Sequence, residues 1–105
     1  MTSVSSVDRL TIVCLMRPKP DRTDTLRAAL LALVPPTRPE AGCLAYELYE
    51  EADGSLVLFE SWLASAELKG HQQQEAVRKL FGEQLQDLLT EDMGVHYGVP
   101  LEPTV

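Results

Sequence analysis

Several things that define common protein classes are scarce or missing in this sequence. Cysteine occurs at only two of 105 positions, Cys14 and Cys43. Both lie in apolar runs without CxxC spacing, and two sulfurs cannot complete a tetrahedral thiolate site. They are expected to be buried, reduced thiols. Histidine also occurs only twice, at His71 and His96, with no carboxylate at ligand spacing, so no metal is expected. Basic residues are outnumbered, nine against sixteen acidic ones, for a formal net charge of -7. That balance argues against a nucleic-acid backbone or an anionic membrane as partner. No apolar run approaches the roughly 18 residues of a membrane span. The first residues, MTSVSSVDR, have neither the basic start nor the apolar stretch of a signal peptide, so a cytoplasmic location is expected. Glycine-rich phosphate loops, GxSxG, HExxH and the dinucleotide fingerprint are all missing, so no cofactor with a recognisable signature is expected.

What remains is an ordinary globular composition, 45% hydrophobic, in a chain long enough for one domain. We place that domain at 9–100, after a flexible start at 1–8 and before a tail at 101–105. Alternation predicts a strand over Asp8 to Met16, with Leu10, Ile12, Cys14 and Met16 on one face and Thr11, Val13 and Leu15 on the other. Leu26, Ala29, Leu30, Leu33 and Val34 fall at helical spacing between Asp21 and Val34, and Pro35-Pro36 is expected to end that helix. A turn-rich link, Thr37 to Gly42, leads to a strand over Cys43 to Glu50, with Leu44, Tyr46 and Leu48 on one face. Asp53-Gly54 is a hairpin signal before a third strand, Ser55 to Trp62. From Ser65, a plausible N-cap, a helical segment runs to about Leu89, with a break expected near Gly70 and an apolar stripe of Val77, Leu80, Phe81, Leu85, Leu88 and Leu89. Met93 to Val99 is read as a last strand.

The order β-α-β-β-α-β is that of an α+β, ferredoxin-like fold: a four-stranded antiparallel sheet with two helices on one side. Strands one to three nevertheless carry apolar residues on both faces. Two helices cover only one of these, so a second copy packed sheet to sheet is the expected cover.

The stretch LVLFESWLASAELKGH, Leu56 to His71, concentrates the chemistry. Glu60 lies in an apolar strand beside Leu58 and Trp62. A carboxylate there needs a hydrogen-bond donor or a place at the sheet edge, and it is read either as an ion pair or dimer-rim contact or as a catalytic base. Trp62 is either a core anchor or the wall of an aromatic site. His71 is the side chain best suited to proton transfer near neutral pH, if its helix turns it inward. On a continuous helix, His71 and Arg78 flank the apolar stripe and Gln74 falls nearer its middle, where it needs a polar partner. Tyr46 is expected to bury its ring with the hydroxyl at a cavity edge or the dimer seam. Tyr49 and Tyr97 read equally well as packing residues.

The segment TRPEAGCLAYELYE, the strand LVLFESW and the spacing from Trp62 to His71 resemble the antibiotic biosynthesis monooxygenase family, which includes small quinol monooxygenases. The similarity runs from about Leu10 to Val99. It implies a dimeric α+β barrel built from two ferredoxin-like subunits, each with a pocket between sheet and helices. Family members of the monooxygenase type oxidise phenols or hydroquinones with dioxygen and no flavin, haem or metal. The resemblance thus makes His71, Trp62 and Glu60 catalytic candidates and Tyr46, Gln74, Arg78 and Phe81 candidate substrate-binding residues, with a small aromatic or quinol-type molecule and dioxygen as substrates. Two departures stand out: Ser65 to Leu89 contains no tyrosine to act as a proton donor and no second histidine for a haem-degrading role. Two other functions fit the same barrel: a non-catalytic dimeric module that binds a small apolar or aromatic ligand, and a cofactor-free isomerase or dehydratase.

Overall fold

The computed structural model describes residues 9–102. The predicted start at 1–8 and residues 103–105 of the predicted tail lie outside that range. Strand β1, Leu10–Met16, leads through a proline-rich loop to helix α1, Thr23–Thr37. Strands β2, Cys43–Glu50, and β3, Leu56–Trp62, form a hairpin. The chain then makes α2, Ser65–Gln72, α3, Glu75–Arg78, a π-helical turn at Lys79–Gln84, α4, Leu85–Leu88, and strand β4, Gly94–Gly98. The sheet order is β2-β3-β1-β4, and every pairing is antiparallel. This is the ferredoxin-like α+β fold, with an open sheet.

Alternation in β1 and β3 places Ile12, Cys14, Met16, Leu56, Leu58, Glu60 and Trp62 beneath the helices, where all are buried. Helix α1 seals one half of this face through Leu26, Leu30, Leu33 and Thr37, a stripe at three- and four-residue spacing. Its outer side is tied to the end of β2, where Arg27 meets both carboxylate oxygens of Glu50 at 2.7 and 3.0 Å. Val77, Leu80, Leu85 and Leu88 seal the other half. The opposite face, with Val13, Leu15, Val57 and Phe59, carries no helix among the described residues and is half-buried.

Four local expectations are revised. Pro35 and Pro36 lie inside α1, which continues to Thr37. Proline has no N–H for the carbonyl four residues back, here those of Leu31 and Ala32, and both of these residues are exposed. The second helical segment does not break at Gly70. It breaks at Gln74, whose extended backbone (ψ 143°) starts a new helix. Ser65 is already the first helical residue, and Ala64, with no side chain able to cap, precedes it. In β2 a bulge between Cys43 and Ala45 shifts the register, so Cys43 faces Trp62 across the ladder and Leu44 is turned out, 47% exposed. The Asp53-Gly54 hairpin forms as expected, with Gly54 at φ +90° and Asp53 Oδ1 accepting the Ser55 N–H at 2.9 Å.

Candidate active site

Three sheet positions and one helix position converge beneath the second helical layer. Glu60, in an interior strand, has Tyr46 opposite it on β2 and Ile12 opposite it on β1. Its carboxylate accepts the Trp62 indole N–H at 2.9 Å, two residues along on the same face. A donor was one of the two ways to accommodate this carboxylate, and the edge position is excluded. Burial pushes the Glu60 carboxyl above its usual range. The Trp62 hydrogen bond and the nearby His71 imidazole work against that shift, and the negative charge of Glu40 adds to it.

His71 is 3% exposed, so its helix does turn it inward. Its ring lies 4.9 Å from that of Trp62 at a 35° tilt and 5.3 Å from that of Tyr46 in an edge-on arrangement. Its Nδ1 meets both carboxylate oxygens of Glu40, at 3.1 and 3.3 Å. Glu40 comes from the α1–β2 loop and was not among the sequence candidates. No periodicity marks a loop residue, and the only local signal is a carboxylate placed between Pro39 and the turn at Gly42. That turn is built for close approach. Gly42 has φ +79°, and a Cβ there would collide with the Glu67 side chain on α2. The Gly42 carbonyl also accepts the Leu63 N–H at 2.8 Å, fastening the loop to the exit of β3.

A cavity of about 520 Å³ opens beside this cluster, within the range usual for small-molecule sites. Ile12, Cys14, Val77, Phe81, Met93 and Val95 supply its apolar wall. Glu60, His71 and Arg78 are polar groups on its surface. The Cys14 thiol is pushed up to about 12, chiefly by burial and then by Glu60, so it stays protonated. Among the described residues, no group of three or more His, Cys, Asp or Glu side chains is arranged to hold a metal ion, and no helix is long and apolar enough to cross a membrane.

The sequence candidates therefore divide. Glu60, His71, Arg78 and Phe81 line the cavity. Trp62, fully buried, and Tyr46, 1% exposed, do not line it and instead back the His71 ring. Trp62 thus contacts both the His71 ring and the Glu60 carboxylate. Among the described residues the Tyr46 hydroxyl has no hydrogen-bond partner, and burial, followed by the charge of Glu60, raises its proton affinity. Gln74 is exposed at the start of α3, because the helix break removes it from the stripe on which a continuous helix places it. Arg78, an exposed residue at the cavity, donates its Nε–H to the Gln73 carbonyl at 3.0 Å. Tyr97, 66% exposed, also reaches the cavity from β4.

Fold and site together define a small α+β protein with a histidine-bearing cavity between sheet and helices. Residues 9–83 match the antibiotic biosynthesis monooxygenase family, and the chain belongs to that family. Rv0793 of Mycobacterium tuberculosis, provisionally named a monooxygenase, is 38% identical over 92 residues, which span 87% of this chain and 90% of that protein. Its solved structure has a TM-score of 0.84 to this one at 37% identity, covering 90% of this chain and 96% of that chain. PA3566 from Pseudomonas aeruginosa has a TM-score of 0.84 at 28% identity, covering 96% of this chain and all of that one. A solved antibiotic biosynthesis monooxygenase has a TM-score of 0.79 at 26% identity, covering 89% of this chain and 99% of that chain.

Proposed function

We propose that this protein is a cofactor-independent monooxygenase that oxidises a quinol or electron-rich phenol with dioxygen. The observation that carries this reading is the buried His71 imidazole in the wall of a mostly apolar cavity large enough for an aromatic ring system. An aromatic alcohol reacts with dioxygen far faster as its anion, so the protein has to remove one proton and shield the product from water.

In this reading His71 takes the hydroxyl proton, and the electron-rich anion transfers electrons to dioxygen. A ring carbon then forms a bond to oxygen. His71 returns its proton to the resulting peroxide; the ring carbon then loses its own C–H proton as the O–O bond breaks, so one oxygen stays on the ring and the other leaves as water carrying both protons. A quinol emerges as the hydroxyquinone, so the substrate supplies all the electrons. Arg78 is positioned at the cavity to offset the oxyanion charge, and Phe81 provides a flat apolar wall. The half-buried apolar face of the sheet supports a working form in which two copies pack sheet to sheet.

Oxygen uptake with a panel of quinols, menadiol among them, tests the activity. Wild-type protein is expected to consume oxygen with at least one quinol, and His71→Ala to lose about 10²-fold or more of the rate. Ligand-induced stabilisation without turnover would instead indicate a binding module. Substrate conversion under anaerobic conditions would indicate an isomerase or dehydratase.

A further inference from the structure

We propose that Glu40 is the positioning residue of this site: its carboxylate accepts the Nδ1–H of His71 and so keeps the basic lone pair on Nε2, the ring nitrogen left to the cavity. The catalytic consequence rests on the function proposed above, whereas the tautomer assignment does not.

The geometry is specific. An ionised carboxylate has no hydrogen to give, so contacts of 3.1 and 3.3 Å from its two oxygens require Nδ1 to carry the proton. The pair is not a surface contact: the His71 side chain is 2% exposed and that of Glu40 17%. The loop bearing Glu40 is held at several points. The Glu40 N–H donates to the Thr37 carbonyl at 2.9 Å, and the Glu40 carbonyl accepts the Cys43 N–H at 3.1 Å. Gly42 then packs directly against Glu67 of α2, the helix that carries His71. Tyr46 and Trp62 confine the ring from the sheet side. Glu40 does not line the cavity, so it acts through His71 and not on a substrate.

The unconstrained histidine side chain favours the proton on Nε2, which would place a donor where the reaction needs a base. Glu40 reverses that preference. When Nε2 takes a substrate proton, the O–H bond breaks, the oxygen keeps the electron pair, and the new imidazolium charge lies against the Glu40 carboxylate.

The test is ¹⁵N NMR of the imidazole nitrogens at neutral pH in full-length protein, with His96→Gln used to assign the two histidines. In wild type, His71 is expected to show a protonated Nδ1 and a bare Nε2. In Glu40→Ala and Glu40→Leu, neither of which offers an acceptor to Nδ1–H, the proton is expected to shift toward Nε2. For whichever quinol the wild type oxidises, kcat is expected to fall by at least about 10²-fold, with KM changed less than about twofold. An Nε2-protonated or doubly protonated His71 in wild type, or an unchanged tautomer in the folded variants, would overturn the assignment. If Glu40→Ala does not fold, the wild-type and Glu40→Leu spectra decide. If the tautomer responds as expected and no quinol is oxidised, the function reading fails and the positioning role stands.

Discussion

The imidazole of His71 is touched by groups from three separate parts of the chain: the Glu40 carboxylate from a loop, the Tyr46 ring from β2 and the Trp62 ring from β3. Glu60 is the second titratable group in the same wall, and burial favours its neutral form. A carboxyl raised above its unfolded value holds its proton in the folded state over a range where the unfolded chain has released it. Its contribution to stability is therefore present below the unfolded value and is lost as pH rises through the folded one. Glu60→Gln keeps the shape of the neutral acid and an oxygen for the Trp62 N–H. The melting temperature of wild type minus that of Glu60→Gln is expected to fall as pH rises above the usual carboxylate range, and a difference that stays flat there would mean that Glu60 ionises normally. Trp62→Phe removes the one indole donor to this buried carboxylate. It is expected to cost about 1–3 kcal/mol in urea unfolding, beyond which any loss of activity reports on the support of His71. At this scale Glu60, Trp62 and His71 were legible because strand alternation and one short segment put them together. Glu40 was not, since its partner lies 31 positions away in sequence and no pattern links a loop to a helix.

Among the elements, the α1–β2 loop and the broken second helical layer shape the site. Gly42 combines a positive φ with contact against α2, so Gly42→Ala is expected to destabilise the fold by about 1–3 kcal/mol and to disturb the Glu40–His71 contact. Chemical denaturation gives the first effect and the His71 nitrogen shifts the second. The order of strands and helices followed directly from apolar spacing and from the Asp53-Gly54 signal. The phase of the second layer did not follow, because the break at Gln74 and the π-helical turn at Lys79–Gln84 each rotate what comes after them. Gln74 thus ends up exposed, and Gln74→Ala is expected to change stability by less than about 0.5 kcal/mol and to leave quinol oxidation intact. A marked loss of activity in that variant would place Gln74 in the site after all. The β2 bulge had the same effect on a smaller scale, exchanging Leu44 for Cys43 on the inner face.

For the molecule as a whole, the sheet has one face under helices and another whose half-buried Val13, Leu15, Val57 and Phe59 lie opposite one another across β1 and β3. If two copies pack through that face, Phe59→Asp is expected to convert a dimer to a monomer in sedimentation velocity, and an already monomeric wild type would refute the pairing. The two-sided apolar pattern was readable before any coordinates, as was the side of the sheet that bears Glu60 and Trp62. The resemblance implied a pocket between sheet and helices, but its full lining was not readable, since its walls come from β1, β3, β4 and the second helical layer at once. The central claim is that this cavity carries out oxygenation. The most direct test is the mass of the product formed from a quinol under ¹⁸O₂ by wild type and by His71→Ala. The account predicts one ¹⁸O atom in the wild-type product and little product from the variant; a product without ¹⁸O, or equal yields from the two proteins, would contradict it.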